Sequence, residues 1–128
     1  MTPIPTGAVL VVDDDDSMRQ AIRRLLNAAG LKTQTFASAE ALLDGGPVAG
    51  AACVVSDFKL PGLSGLELLT ELRRQGHWPP VIVVTAHDTP ELRAEAMRRG
   101  ASAYLSKPFH GKDLLEAIDA AVDHGAVP

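Results

Sequence analysis

Three short runs of uninterrupted, mostly β-branched apolar residues constrain this chain most. They are Ala8-Val9-Leu10-Val11-Val12, the stretch 51–56 with Val54-Val55 at its centre, and Val81-Ile82-Val83-Val84. Val and Ile favour strands, and a strand apolar on both faces belongs to a sheet covered on both sides. Each run stops at a polar residue: Asp13, Asp57 and Thr85. The middle run breaks at once into Leu60-Pro61-Gly62, a turn signal that leaves Asp57 at the carboxyl end of a buried strand.

Between these runs the period changes. Met18, Ala21, Ile22, Leu25 and Leu26 recur at helical spacing, with Arg19, Arg23 and Arg24 on the other face. Asp16 or Ser17 can cap that helix, and Gly30 can end it. Lys32–Phe36 alternates and is rich in Thr, which predicts a partly exposed edge strand. A short helix capped by Ser38, with Glu40 in its first turn, closes before Gly45-Gly46-Pro47. Ser64 caps the next, with Leu66, Leu69 and Leu72 inward and Glu67, Glu71, Arg73 and Arg74 outward. A fourth helix starts at Thr89-Pro90 and runs to Gly100 with a weak apolar face of Leu92, Ala96 and Met97. Ser102–Leu105 is a fifth strand. The last helix carries Leu114, Leu115, Ile118, Ala121 and Val122 on one side and ends at Gly125.

Strand and helix therefore alternate with short connections, which predicts a flavodoxin-like, doubly wound, five-stranded parallel sheet with helices on both faces. In the order 2-1-3-4-5 the first and third strands are neighbours at the switch point, and all carboxyl ends share one rim. Asp13, Asp14, Asp57, Thr85 and Lys107 then meet there. Two carboxylates about 4 Å apart repel by roughly 4 kcal/mol at an effective dielectric near 20, so the cluster calls for a cation. Hard oxygen ligands suit Mg²⁺ or Mn²⁺. A carboxylate can also attack phosphorus, and phosphoryl transfer needs chiefly positioning and charge neutralisation. Alone, an Asp run before a helix is a cap with favourable dipole charge, and a Lys-Pro pair is a turn. The spacing of all of them together is what points to chemistry.

That spacing resembles the receiver domain of two-component response regulators over residues 8–123. The matching pieces are Val11-Val12-Asp13-Asp14-Asp15, Ser56-Asp57 with Leu60-Pro61-Gly62-Leu63-Ser64-Gly65, Val83-Val84-Thr85-Ala86, and Ala101-Ser102-Ala103-Tyr104-Leu105-Ser106-Lys107-Pro108-Phe109. The similarity is closest to FixJ-type receivers, which precede a LuxR-type helix-turn-helix domain. The resemblance implies that Asp57 accepts a phosphoryl group from a sensor histidine kinase. It implies that Asp14, Asp57 and the backbone carbonyl of Lys59 ligate the metal directly, with Asp13 acting mainly through water. Lys107 would pair with the acyl phosphate across a cis Lys107-Pro108 bond. Thr85 would bind a phosphoryl oxygen, and Tyr104 would turn into the space it vacates. Lys59 and His87 would tune phosphoryl lifetime. Phosphorylation would drive a homodimer through the face of the fourth helix, fifth strand and fifth helix.

Other classes fit less well. A haloacid-dehalogenase-type enzyme wants a second Asp two residues after the nucleophile, where Lys59 stands. A flavodoxin-like FMN binder has no use for an acidic rim, and a receiver that no longer takes phosphate has no use for the full set of Asp13, Asp14, Asp57, Thr85 and Lys107. The 128 residues suffice for one domain with its own core, and a formal net charge of −4 gives no general attraction to nucleic acid or anionic membrane. The apolar runs are too short to span a bilayer, Met1–Gly7 reads as a tail without a signal peptide, and Cys53 reads as a lone buried thiol. Together these indicate a cytoplasmic protein. His77, His110 and His124 lack metal-ligand spacing, and Trp78 reads as a packing plug. Residues 124–128 read as a tail or the start of a linker to an output domain; the alternative is a stand-alone receiver that shuttles or drains phosphate.

Overall fold

The computed structural model describes residues 7–45 and 48–125, without the side chains of 124 and 125. Of the predicted tails, residues 1–6 and 126–128 lie outside what it describes, as do the Gly46-Pro47 break and the His124 side chain, whereas the backbone of 124 and 125 belongs to the last helix rather than to a tail. The order of elements is β1 (Val9–Val12), α1 (Asp16–Ala28), β2 (Thr33–Phe36), α2 (Ala39–Gly45), β3 (Cys53–Asp57), α3 (Gly65–Arg74), β4 (Val81–Thr85), α4 (Pro90–Arg98), β5 (Ala103–Ser106) and α5 (Gly111–Gly125). The five strands form one parallel sheet in the order β2-β1-β3-β4-β5.

Every residue of β1, β3 and β4 is buried, because alternate side chains enter different layers. Leu10, Val12, Val54, Val81 and Val83 pack with Leu42, Leu66, Leu69 and Ala96 from α2, α3 and α4. Val9, Val11, Val55, Ile82 and Val84 pack with Ile22, Leu26, Leu114 and Ile118 from α1 and α5. Thr33–Phe36 has partners on one edge only and stays partly exposed, as its alternation predicts.

Local signals fix the helix ends. Ser64 and Glu67 form a reciprocal capping box on α3. Thr89 caps α4, with Pro90 at its first position. Ser38 Oγ accepts from Ala41 N at 3.1 Å at the start of α2. Three expectations need correction. The cap of α1 is Asp15, whose extended backbone (φ −85°, ψ 114°) turns its carboxylate onto the Met18 amide; Asp16 is already helical and pairs with Arg19. Ala21 is exposed and Arg19 is half-buried, so the inward stripe of α1 is narrower and rotated from the simple periodic reading. Trp78 fills no gap: it is 73% exposed, with the Arg73 guanidinium 5.2 Å above its ring. Arg73 also donates to the His77 carbonyl, which holds its planar group along this loop and over the indole.

Truncating a residue on the sheet should be costly and truncating one on α4 should not. Leu10→Ala is expected to lower unfolding free energy by about 2–5 kcal/mol. Met97→Ala, at a side chain 48% exposed, should change it by no more than about 0.5 kcal/mol. Urea unfolding of the two variants beside the parent chain measures both.

Candidate functional site

The site follows from strand register. Val12 stands opposite Ser56 in the β1–β3 pair, so the next residues, Asp13 and Asp57, emerge side by side. Thr85 ends β4 opposite Ser106 of β5, and Lys107 follows, its amide bonded to the Thr85 carbonyl at 2.7 Å. The predicted residues from four separate segments thus meet on one rim. The Lys107–Pro108 peptide bond is cis, as expected.

Lys107 Nζ lies 2.9 Å from Asp13 Oδ2 and 3.1 Å from Asp57 Oδ2. Asp13 is almost fully buried, and its Oδ1 accepts the Asp15 amide at 2.9 Å. Both of its oxygens are therefore engaged within the protein. Asp14 is exposed at the mouth. One oxygen from each of Asp13, Asp14 and Asp57 lies within 4.8 Å of the others. Such an all-oxygen, net negative donor set fits a hard divalent cation. Asp14, Asp57, Lys59, Leu60, Pro61, Ala86 and His87 line an open cleft of about 370 Å³ above it.

Burial raises the pKa of Asp57; the hydrogen bond and charge of Lys107 pull it back down, the Asp13 charge adds to the rise, and the Lys59 backbone amide opposes it. Burial also works against the Lys107 ammonium, but its hydrogen bonds and charge pairing with Asp13 and Asp57 outweigh that and raise its pKa. Thr85 is fully buried, and its Oγ1 accepts the His87 amide at 2.9 Å, which ties the loop after β4 to this hydroxyl. The His87 and Lys59 side chains are exposed at the cleft edge.

Tyr104 is buried, with the Arg93 guanidinium 4.7 Å over its ring. Its hydroxyl is enclosed without a hydrogen-bond partner.

Sequence reasoning missed two participants. Arg19 donates to the Asp13 carbonyl at 2.8 Å, clamping the turn after β1. Glu40 accepts the Leu63 amide at 2.9 Å from a distant part of the chain. Neither has a local signal, since both look like ordinary charged positions on a helix. Cys53 is the buried thiol expected, pushed up to about 12 by burial.

The response regulator receiver domain family matches residues 9–119. The chain belongs to that family. It is 42% identical over 118 residues to the transcriptional regulatory protein FixJ of Azorhizobium caulinodans, covering 92% of this chain and 56% of that protein. It is 41% identical over 115 residues to nodulation protein W of Bradyrhizobium diazoefficiens, covering 90% of this chain and 51% of that one. The chain thus spans about half the length of these relatives. Full-length FixJ from B. japonicum superposes with a TM-score of 0.87 at 37% identity, over 96% of this chain and 61% of that one. A receiver domain protein from Clostridium thermocellum gives 0.84 at 30% identity, over 92% and 95%. This receiver is a phosphoacceptor signalling domain of the FixJ/NtrC type. Receivers of that type are phosphorylated by sensor kinases, and receiver domains bind Mg²⁺ at an acidic pocket. Among the described residues, no helix is long and apolar enough to cross a membrane.

The charge balance sets a pH dependence. A carboxyl whose folded pKa is raised contributes most stability when protonated, and loses that contribution as pH rises through its unfolded and then its folded value. Without metal, Asp57→Asn should therefore be more stable than the parent chain at pH 7–8, and the gap should close as acid protonates Asp57. Lys107 acts in the opposite range: its contribution is complete below its unfolded value and is lost as pH rises through its raised folded value. Thermal melts in chelator from pH 4 to 8 read the first effect. A variant no more stable at pH 8 would contradict this account of Asp57.

Proposed function

We propose that residues 8–123 act as one receiver unit in which Asp57 takes a phosphoryl group from a phosphohistidine of a sensor histidine kinase. The observation that carries this reading is the Lys107 ammonium bridging Asp13 and Asp57 within a triad of carboxylates at the sheet rim. The Asp57 carboxylate oxygen forms the new bond to phosphorus as the bond from phosphorus to the histidine nitrogen breaks. The electron pair of that bond leaves with the imidazole. Mg²⁺ or Mn²⁺, held by Asp14, Asp57 and the Lys59 carbonyl, would neutralise phosphoryl oxygens when bound. Asp13, with both oxygens already occupied, acts through Lys107 and through water. Lys107 moves its pairing toward the acyl phosphate. Thr85 releases the His87 amide to bind a phosphoryl oxygen, and Tyr104 turns inward into the space that Thr85 vacates. Self-catalysed transfer and autodephosphorylation are the only chemistry assigned, so the domain is a switch rather than an enzyme with turnover.

The reading continues to output. Longer relatives such as FixJ and DctD are named as transcriptional regulatory proteins, and we assign this receiver the control of an output domain through α4, β5 and α5. The support is that α4 buries only Ala96, whereas α3 buries Leu66, Leu68, Leu69 and Leu72. The receiver itself touches no nucleic acid or membrane in this scheme and works in the cytoplasm. The second reading, a stand-alone phosphate shuttle or sink, differs in its prediction for assembly.

Incubation with acetyl phosphate and Mg²⁺ should give one phosphoryl adduct by intact mass, lost in Asp57→Asn and in chelator. No adduct under conditions that label another receiver would overturn the proposal. Following the same adduct with time, Lys59→Ala and His87→Ala should accept phosphate but change its rate of loss. Identical decay in all three proteins would remove both residues from that role.

Sedimentation with a beryllofluoride mimic of the phosphoryl group should convert monomer to dimer through the α4–β5–α5 face. A monomer at high concentration would favour the shuttle.

A further inference from the structure

Glu40 occupies the first turn of α2, where a carboxylate is ordinarily explained by the helix dipole. Here it does something more specific. Its Oε2 accepts the backbone amide of Leu63, a charge-assisted bond across the surface to another loop. Leu63 lies in the 58–64 segment that joins β3 to α3, and Lys59, Leu60 and Pro61 of that segment line the cleft with Asp14 and Asp57. The ends of the segment are fixed by the backbone: Phe58 N bonds to Val84 O and Gly65 N to Phe58 O, each at 2.8 Å. Its middle has no ladder. Leu60 and Leu63 pack against the core, and beyond the Lys59 amide at Asp57 the polar anchor on the middle is the Glu40 carboxylate.

Gly62 shows how closely the two parts fit. It has φ +75°, which a side chain disfavours, and an added Cβ would stand directly on the Glu40 carboxylate. Glycine at this position lets the loop turn and lets the carboxylate reach the next amide. Ser38 caps the same helix and fixes the base from which Glu40 extends.

We propose that Glu40 is a positioning residue for the Asp57 site. From α2 it pins the middle of the 58–64 loop, and so sets where the Lys59 backbone stands relative to the carboxylates that hold the cation. The inference rests on the reading of Asp57, Asp14 and the Lys59 carbonyl as the divalent-cation site. Charge at the helix start and reach to Leu63 can be separated. Glu40→Gln keeps the reach and an accepting oxygen but loses the charge. Glu40→Asp keeps the charge but is one methylene too short. Glu40→Ala loses both.

Calorimetric titration of the full chain with Mg²⁺ alone, beside hydrogen exchange of the Leu63 amide, tests it. Groups that orient metal ligands commonly change affinity 10–100-fold when removed, so Glu40→Ala and Glu40→Asp should bind Mg²⁺ roughly ten-fold more weakly. Both should also expose the Leu63 amide to faster exchange, while Glu40→Gln stays near the parent. Affinity unchanged in Glu40→Ala, or lost in Glu40→Gln but kept in Glu40→Asp, would overturn the proposal and leave only a dipole role. Asp57→Asn serves as the separate control. If the parent and Asp57→Asn bind Mg²⁺ alike, the cation-site reading itself fails, and the role of Glu40 falls with it.

Discussion

Parallel pairing of β1 with β3 is the contact on which this molecule depends. It closes the topological switch point, and its register delivers Asp13 and Asp57 to the same level of the rim. The consequence is a concentration of like charge that the fold must tolerate. Carboxylate oxygens within 4.8 Å of one another repel by about 3–4 kcal/mol per pair at an effective dielectric near 20. Lys107 offsets part of this by bridging two of the three carboxylates. One ammonium against three carboxylates leaves the rim negative, which is the electrostatic basis for its demand for a cation.

The two sides of the sheet rim are held with different firmness. On the β3 side, α3 begins with a capping box and buries four leucines, and Gly65 lies so close to the Asp57 carbonyl that an added Cβ would come within 2.5 Å of it. This side is a rigid platform for Asp57. On the β5 side, α4 buries a single alanine, and its Arg93 is stacked on Tyr104 and ion-paired with Asp88 at 3.7 Å. Exposed pairs of that kind contribute little to stability. Packing of the buried Tyr104 ring and the Arg93 cation over its face hold this side together. A small change at Thr85 therefore meets a firm wall on one side and a weakly held one on the other.

What was legible in the sequence divides along the same physical line. The apolar runs identified β1, β3 and β4 because these strands are buried on both faces, and turn and cap chemistry identified Ser64, Thr89 and Pro90 because those bonds span only three residues. The predicted site residues assembled because topology alone brings strand ends together. The edges were less sharp: β3 extends through Asp57 itself, and β2 and β5 each start one residue late. In the Asp13–Ser17 run several residues can cap α1, and backbone geometry chose Asp15. Trp78 was misread because burial was inferred from residue type, whereas a loop and Arg73 keep it on the surface. Arg19 and Glu40 were silent because a bond to a distant or irregular backbone leaves no periodicity.

The distribution of polar groups ties these strands together. Among the described residues, the buried polar or charged side chains are Asp13, Ser56, Asp57 and Thr85, all at the carboxyl ends of β1, β3 and β4. Burying such groups in an apolar interior is costly unless they are paired, and elsewhere the core avoids that cost. Places where a sequence breaks its own core pattern mark function more reliably than places where it obeys. A haloacid-dehalogenase arrangement would put a further carboxylate at position 59, but Lys59 stands there, exposed at the cleft edge. A flavin phosphate would face the net negative triad. The phosphoryl group proposed for Asp57 would instead be balanced by Lys107 and a divalent cation, in keeping with the polar residues that the core tolerates.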